Sequence, residues 1–166
     1  FRFYTRLHLS EMTGLKALNL SEMVSVIKTV TGSCIYHHTH RFLQQHQYLS
    51  PEPPNDFAYW VSNALGDDNL GERLASIDTI QFLSIKSLRE EMVRRIETYL
   101  SENPKAAERT AQPDEAFHFM KSRSFILPTD HVACDMSQFI DILTRISAQS
   151  IYFHMFESRL RLENGD

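Results

Sequence analysis

A chain of 166 residues, 42% apolar and 23% charged, is long enough for a real core and too ordinary in composition for wholesale disorder. With 17 Lys and Arg against 21 Asp and Glu its formal charge is −4, which excludes the basic excess that a nucleic-acid partner calls for. Cys34 and Cys134 make neither a disulfide framework nor a metal knuckle and suit a reducing, cytoplasmic compartment, and no apolar run approaches the roughly 20 residues of a membrane span.

The first element is a strand, marked by the aromatic alternation of Phe1 and Phe3. Asn19 with Glu22 then stands as a cap and its reciprocal partner before a helix whose stripe is Leu20, Met23, Val24, Ile27 and Val30. Gly32 and Ser33 stop that helix and start another, which carries Ser33-x-x-x-His37 and the run to Arg41. Pro51, Pro53 and Pro54 break the chain. Asn55 or Asp56 caps a helix with Phe57, Trp60, Val61 and Leu65 inward, ended by Gly66. Asp67 and Asp68 open the next, with Leu70, Leu74 and Ile77. Ser84 or Ser87 opens the longest, with Ile85, Leu88, Met92, Ile96 and Tyr99 inward and Glu90/Arg94 and Glu91/Arg95 spaced as ion pairs on a solvated face. Residues 101–115 lose the apolar pattern and read as a mobile linker. A second aromatic strand follows at Phe117 and Phe119, extending through Phe125 and Leu127. After it, Asp135 with Gln138 caps a helix carrying Met136, Phe139, Ile140, Leu143 and Ile146, and a last helix holds Ser150-x-x-x-His154.

The two strand-and-helix stretches match one another. Thr13 falls on Thr129, Ala17 on Ala133 and Ser21 on Ser137; with one extra residue in the second copy, Ser33 and His37 fall on Ser150 and His154. The expected fold is therefore mainly α with short β strands (α+β). It has an internally duplicated strand–helix–helix motif, paired about a pseudo-twofold axis, and a helical insert. A single domain spans 1–166: copy one 1–49, insert 50–100, linker 101–115, copy two 116–166.

Three clusters could carry chemistry, and each has a plain structural reading beside it. On an α-helix His37, His40 or Arg41, and Gln44 share a face, so His37 and His40 could ligate a transition metal with Asp56 or His154 as third ligand; no HExxH or other specific ligand set is present. In the Ser-x-x-x-His elements, the serine can cap a helix while His37 or His154 bonds a backbone group of the paired strand. Asn55, Asp56 and Trp60 gather an amide, a carboxylate and an aromatic face at a helix start, which suits a small anionic or sugar-like ligand, and equally suits a cap followed by core aromatics. No Ser–His–Asp order, nucleophile elbow or phosphate-cradling glycine loop can be read.

The stretches SCIYHHTHRFL, PEPPNDFAYWVSNAL, LGERLASID and SIKSLREEM resemble a prokaryotic family known only as a domain of unknown function, and the FHF…SIYFH half resembles that family's second copy. Gly71 departs from that pattern, standing where the family favours Ala, which would loosen its helix. The resemblance implies no mechanism. The leading reading is a non-catalytic ligand-binding or regulatory module without cofactor, its site formed by His37, Arg41, Asn55, Asp56, Trp60 and His154. One alternative is a metal-dependent hydrolase or lyase using His37 and His40. The other is a structural or assembly domain, which implies a homo-oligomer or partner capture.

Overall fold

The computed structural model describes residues 1–41, 55–156 and 158; Gln44 and the prolines at 51, 53 and 54 lie outside the described residues. Two strands, β1 (Arg2–Ala17) and β2 (Phe117–Val132), each of 16 residues, form one antiparallel two-stranded ribbon. Its register is visible in side chains that meet across it: His8 Nδ1 lies 2.8 Å from Ser124 Oγ, and Lys121 Nζ 3.3 Å from Glu11 Oε1. Threonine hydroxyls add cross-strand bonds, Thr13 Oγ1 donating to the Phe119 carbonyl at 2.7 Å and Thr129 Oγ1 to the Phe3 carbonyl at 2.9 Å.

The chain forms two compact units. The smaller combines Phe1–Leu9 with Arg123–Leu160, and the larger is built on Ser10–Ser122. In the larger unit lie α1 (Leu20–Thr29), α2 (Gly32–Tyr36), a π-helical turn (His37–Arg41), α3 (Asp56–Asn63), α4 (Asp68–Ala75) and α5 (Ile85–Glu102). Each cap is local chemistry. Asn19 Oδ1 accepts from Glu22 N–H while Glu22 Oε2 accepts from Leu18 N–H, and Asn55, Asp67 and Ser84 cap α3, α4 and α5 in the same way. The inward faces of α1, α3, α4 and α5 follow the sequence pattern throughout, with Leu20, Met23, Ile27, Phe57, Leu70 and Leu88 fully buried. Arg89 is buried too: its Nη1 donates to the Ile27 and Val30 carbonyls at 2.5 and 2.6 Å, closing the C-terminal end of α1. Gly71 lets α4 approach α3, since a Cβ there would stand 1.9 Å from Ser62 Oγ and 3.3 Å from the Ala58 carbonyl oxygen. The glycine thus tightens that crossing, where the sequence suggested a looser helix.

The smaller unit holds α6 (Met136–Leu143) and α7 (Ala148–Met155), capped by Asp135 and Ser147. Asp135 Oδ1 accepts from Gln138 N–H, and Gln138 Oε1 from Cys134 N–H. Its core is small: Phe3, Ala133 and Ile142 are buried, with Phe139 and Ile146 packed against them.

Two features of the expected fold are overturned. The short strands expected of this α+β chain are not observed, because the strands run 16 residues each. No side chain of β1 between Leu7 and Lys16 is buried, and cross-strand pairing holds that stretch extended. The duplicated strand–helix–helix motif is not the unit that forms either. The strand start Phe1–Leu9 shares a unit with the helices that follow β2, not with α1. Phe3 stacks on Phe139 of α6 at 5.4 Å, a partner more than a hundred residues away. The stretch 101–115 contains two 3-10 turns, Pro104–Glu108 and Pro113–Glu115, with Ala106 and Ala111 buried and Ala111 N–H bonded to the Leu18 carbonyl at 2.8 Å.

Candidate functional site

The most convergent polar cluster of the larger unit centres on a residue that the sequence reading passed over, His38. Its ring is buried against Phe57, Phe117 and Phe119, with centroids 5.4, 4.7 and 6.1 Å away. Nε2 accepts the Met120 N–H of β2 at 2.8 Å, and Nδ1 lies 2.7 Å from Asp56 Oδ2. A ring nitrogen that accepts must be unprotonated, so the proton sits on Nδ1 and is donated to Asp56. Both ring nitrogens are thereby engaged by partners within the fold. The pair ties three elements together: the π-helical turn, the first turn of α3 and strand β2.

The predicted site residues are arranged around this cluster, mostly with their polar atoms turned to structural partners. Asn55, fully buried, accepts from Ala58 N–H at 2.9 Å and donates to the Leu74 carbonyl at 3.2 Å. Trp60 is buried edge-on to Phe117, and its Nε1 donates to the Glu115 carbonyl at 2.6 Å. His37 sets Nδ1 3.0 Å from Ser122 Oγ. His40 stacks on Tyr36 at 5.3 Å with its Nδ1 2.9 Å from Thr39 Oγ1. Arg41 closes the π-helical turn, and its side chain lies outside the described residues. Among the described residues no three His, Cys, Asp or Glu side chains are grouped to hold a metal ion.

His154 belongs to the smaller unit. Its Nε2 accepts the Tyr4 N–H of β1 at 2.9 Å, and its ring packs against Phe1 and Phe3 at 5.0 and 5.7 Å. Burial without a charged partner pushes its pKa below the ordinary 6.5. A bond from a histidine ring to a backbone N–H of the ribbon is made by His154 and, in the larger unit, by His38, while His37 meets the ribbon at the Ser122 side chain. A signal was present in the sequence. His38 stands as far from His154 along the chain as Phe1 does from Phe117, a match that the inserted gap concealed.

Two hollows accompany these clusters. One, of about 560 Å³, lies between the end of α1 and α5, lined by Lys28, Lys86, Arg89, Glu90, Arg94 and Glu97. Its charges are largely mutually paired: Lys28 meets Glu97 at 2.6 Å and Lys86 meets Glu90 at 4.0 Å. Arg94 turns to Glu91, whose carboxyl is lowered to about 2 by the Arg94 and Arg95 guanidiniums. The other, of about 300 Å³, is in the smaller unit and is bordered by Phe1, Cys134, Met136 and Phe139. Beside it α6 shows an apolar stripe outward, with Met136 71%, Ile140 58% and Leu143 41% exposed.

Fold and site together define an α+β protein in which His38 and His154 each bond a backbone N–H of a two-stranded ribbon. The chain belongs to the family of unknown function DUF5752, whose model matches residues 1–166. It is also similar to OrfY from Thermoproteus tenax: the structures agree with a TM-score of 0.83 at 26% identity, over 96% of this chain and 71% of that one. No match was found among curated proteins. No helix of the described residues is long and apolar enough to cross a membrane.

Proposed function

We propose that the protein is a non-catalytic interaction module that presents the apolar surface of its smaller unit to a protein partner, in a reducing, cytoplasmic setting. The observation that carries this reading is the contrast between inward polar groups and outward apolar ones. His38, Asn55, Trp60 and His154 are engaged within the fold, whereas Met136, Ile140 and Leu143 form a helical stripe facing water. Single exposed leucines are normal on any surface, but a stripe at helical spacing on a capped helix is a docking feature. The test is a photo-crosslinking residue placed at 140 in the producing cell, with Thr98 on α5 as the control position. A discrete cross-linked species at 140 and none at 98 is expected; no product at 140 sinks the reading.

A second reading, binding of a small anion, is supported by the hollow lined by Lys28, Lys86 and Arg94. Calorimetric titration with inorganic phosphate is its test, with heat of binding that disappears in Lys86→Ala. Because Glu90 and Glu97 compete for those cations, any affinity is expected to be weak.

A further inference from the structure

Resting on the interaction reading, we infer that the partner is a second copy of this chain, docked α6 against α6 about a twofold axis. Three observations carry the choice of occupant. The first is the amount of surface. Of the 16 large apolar side chains exposed among the described residues, 12 lie in the smaller unit. At roughly 100 Å² apiece they offer on the order of 1,000 Å², against about 800 Å² that each member of a standard stable complex buries. Only the part of that surface sharing the α6 face enters the contact, which sets the expectation at a modest, micromolar dimer.

The second observation is continuity. His8 faces Ser124 across the ribbon, so alternation puts Leu7 and Phe125 on its other face, the face that carries Phe3. Phe3 is covered by Phe139 of α6, whereas Leu7 and Phe125 remain 49% and 44% exposed. The apolar ribbon face thus runs on past the helix that partly covers it.

The third is charge. Met136, Ile140 and Leu143 are bordered by Ser137 and Thr144; of the flanking charges, Asp141 and Arg145 are paired with each other, and the Asp135 carboxylate caps the helix through Gln138 N–H. A strongly charged partner would find nothing here to match it. An isologous contact requires a surface complementary to itself, and an uncharged stripe meets that requirement. Crossing two α6 helices antiparallel at Ile140 sets Met136 of one copy against Leu143 of the other.

The experiment is sedimentation equilibrium of the full chain over a concentration series, alongside Ile140→Asp. The native chain is expected to pass from one to two chain masses in the micromolar range. Ile140→Asp, at an exposed position, is expected to keep its helical circular dichroism and to weaken the dimer by at least about tenfold. As a check independent of that substitution, Ile140→Cys in a Cys134→Ser background should form an intermolecular disulfide on mild oxidation, and Thr98→Cys should not. A native chain that stays monomeric, an Ile140→Asp chain that dimerises unchanged, or equal crosslinking at 98 and 140 each overturns the inference. A monomeric chain that still crosslinks from position 140 to a different protein overturns the second copy while leaving the interaction reading intact.

Discussion

Helices α1 and α6 begin alike and end in different environments. Each opens on a capped turn, Asn19 with Glu22 or Asp135 with Gln138, and each carries apolar residues at intervals of three and four. In the larger unit the whole α1 stripe is buried, Leu20, Met23 and Ile27 completely, because α5 lies against it and Arg89 closes its end. In the smaller unit only Ile142 of α6 is buried, and three expected core positions face water. Apolar spacing therefore shows that a helix has a sticky face. Whether the same chain covers that face depends on how many elements remain to pack on it.

The comparison can be broken most forcefully by removing matched isoleucines. Ile27→Ala should cost about 2–5 kcal/mol in urea denaturation, from lost transfer energy and the cavity left behind. Ile140→Ala, more than half exposed, should fall within about 0.5 kcal/mol of the native chain in dilute solution. Equal losses at the two positions would show that α6 is as well covered as α1.

Next in size is Arg89→Met, which leaves the Ile27 and Val30 carbonyls without their donor. About 1–3 kcal/mol should be lost, with faster amide exchange in the last turn of α1. An unchanged exchange rate there would mean that the guanidinium contributes by packing alone.

A smaller effect belongs to His154. The folded-state pKa of His154 is depressed, so its neutral form is the one that stabilises. That contribution is complete above the unfolded value near 6.5 and is lost as pH falls below it towards the folded pKa. Protonation also takes away the acceptor for Tyr4 N–H, so hydrogen exchange at Tyr4 should accelerate on mild acidification. His154→Gln keeps an acceptor, removes the titration and should flatten that pH dependence. A Tyr4 exchange profile identical in the native chain and His154→Gln would contradict this account.

The least effect belongs to the solvated face of α5. The Glu91 pKa is held at about 2 by Arg94 and Arg95, so its contribution is complete above the unfolded value of 4.5 and is lost progressively as pH falls from there to about 2. The pair with Arg94 is open to solvent, and Glu91→Gln should change stability by no more than about 0.5 kcal/mol in thermal melts at neutral pH.

Much of the larger unit was legible in the chain. The caps at Asn19, Asn55, Asp67 and Ser84 and the inward faces from Leu20 to Tyr99 follow from short-range hydrogen bonding and helical period, both written within a few residues. Family membership was equally legible. The candidate site was less so: Asn55, Asp56 and Trp60 do lie together at the start of α3, and the ring bonded to Asp56 is that of His38, which the sequence reading did not single out. Which ring reaches Asp56 depends on how the π-helical turn packs against α3 and β2, and that packing is not written in a local count of residues.

By itself the sequence determined where helices start, which residues each turns inward and that the chain carries two strand-and-helix stretches; these depend on interactions between near neighbours. Only the tertiary structure decided the length of the strands, the pairing of Phe1–Leu9 with helices more than a hundred residues away, and the exposure of the α6 stripe. Those outcomes rest on which distant surfaces remain available for burial, and a distant surface leaves no local period in the chain.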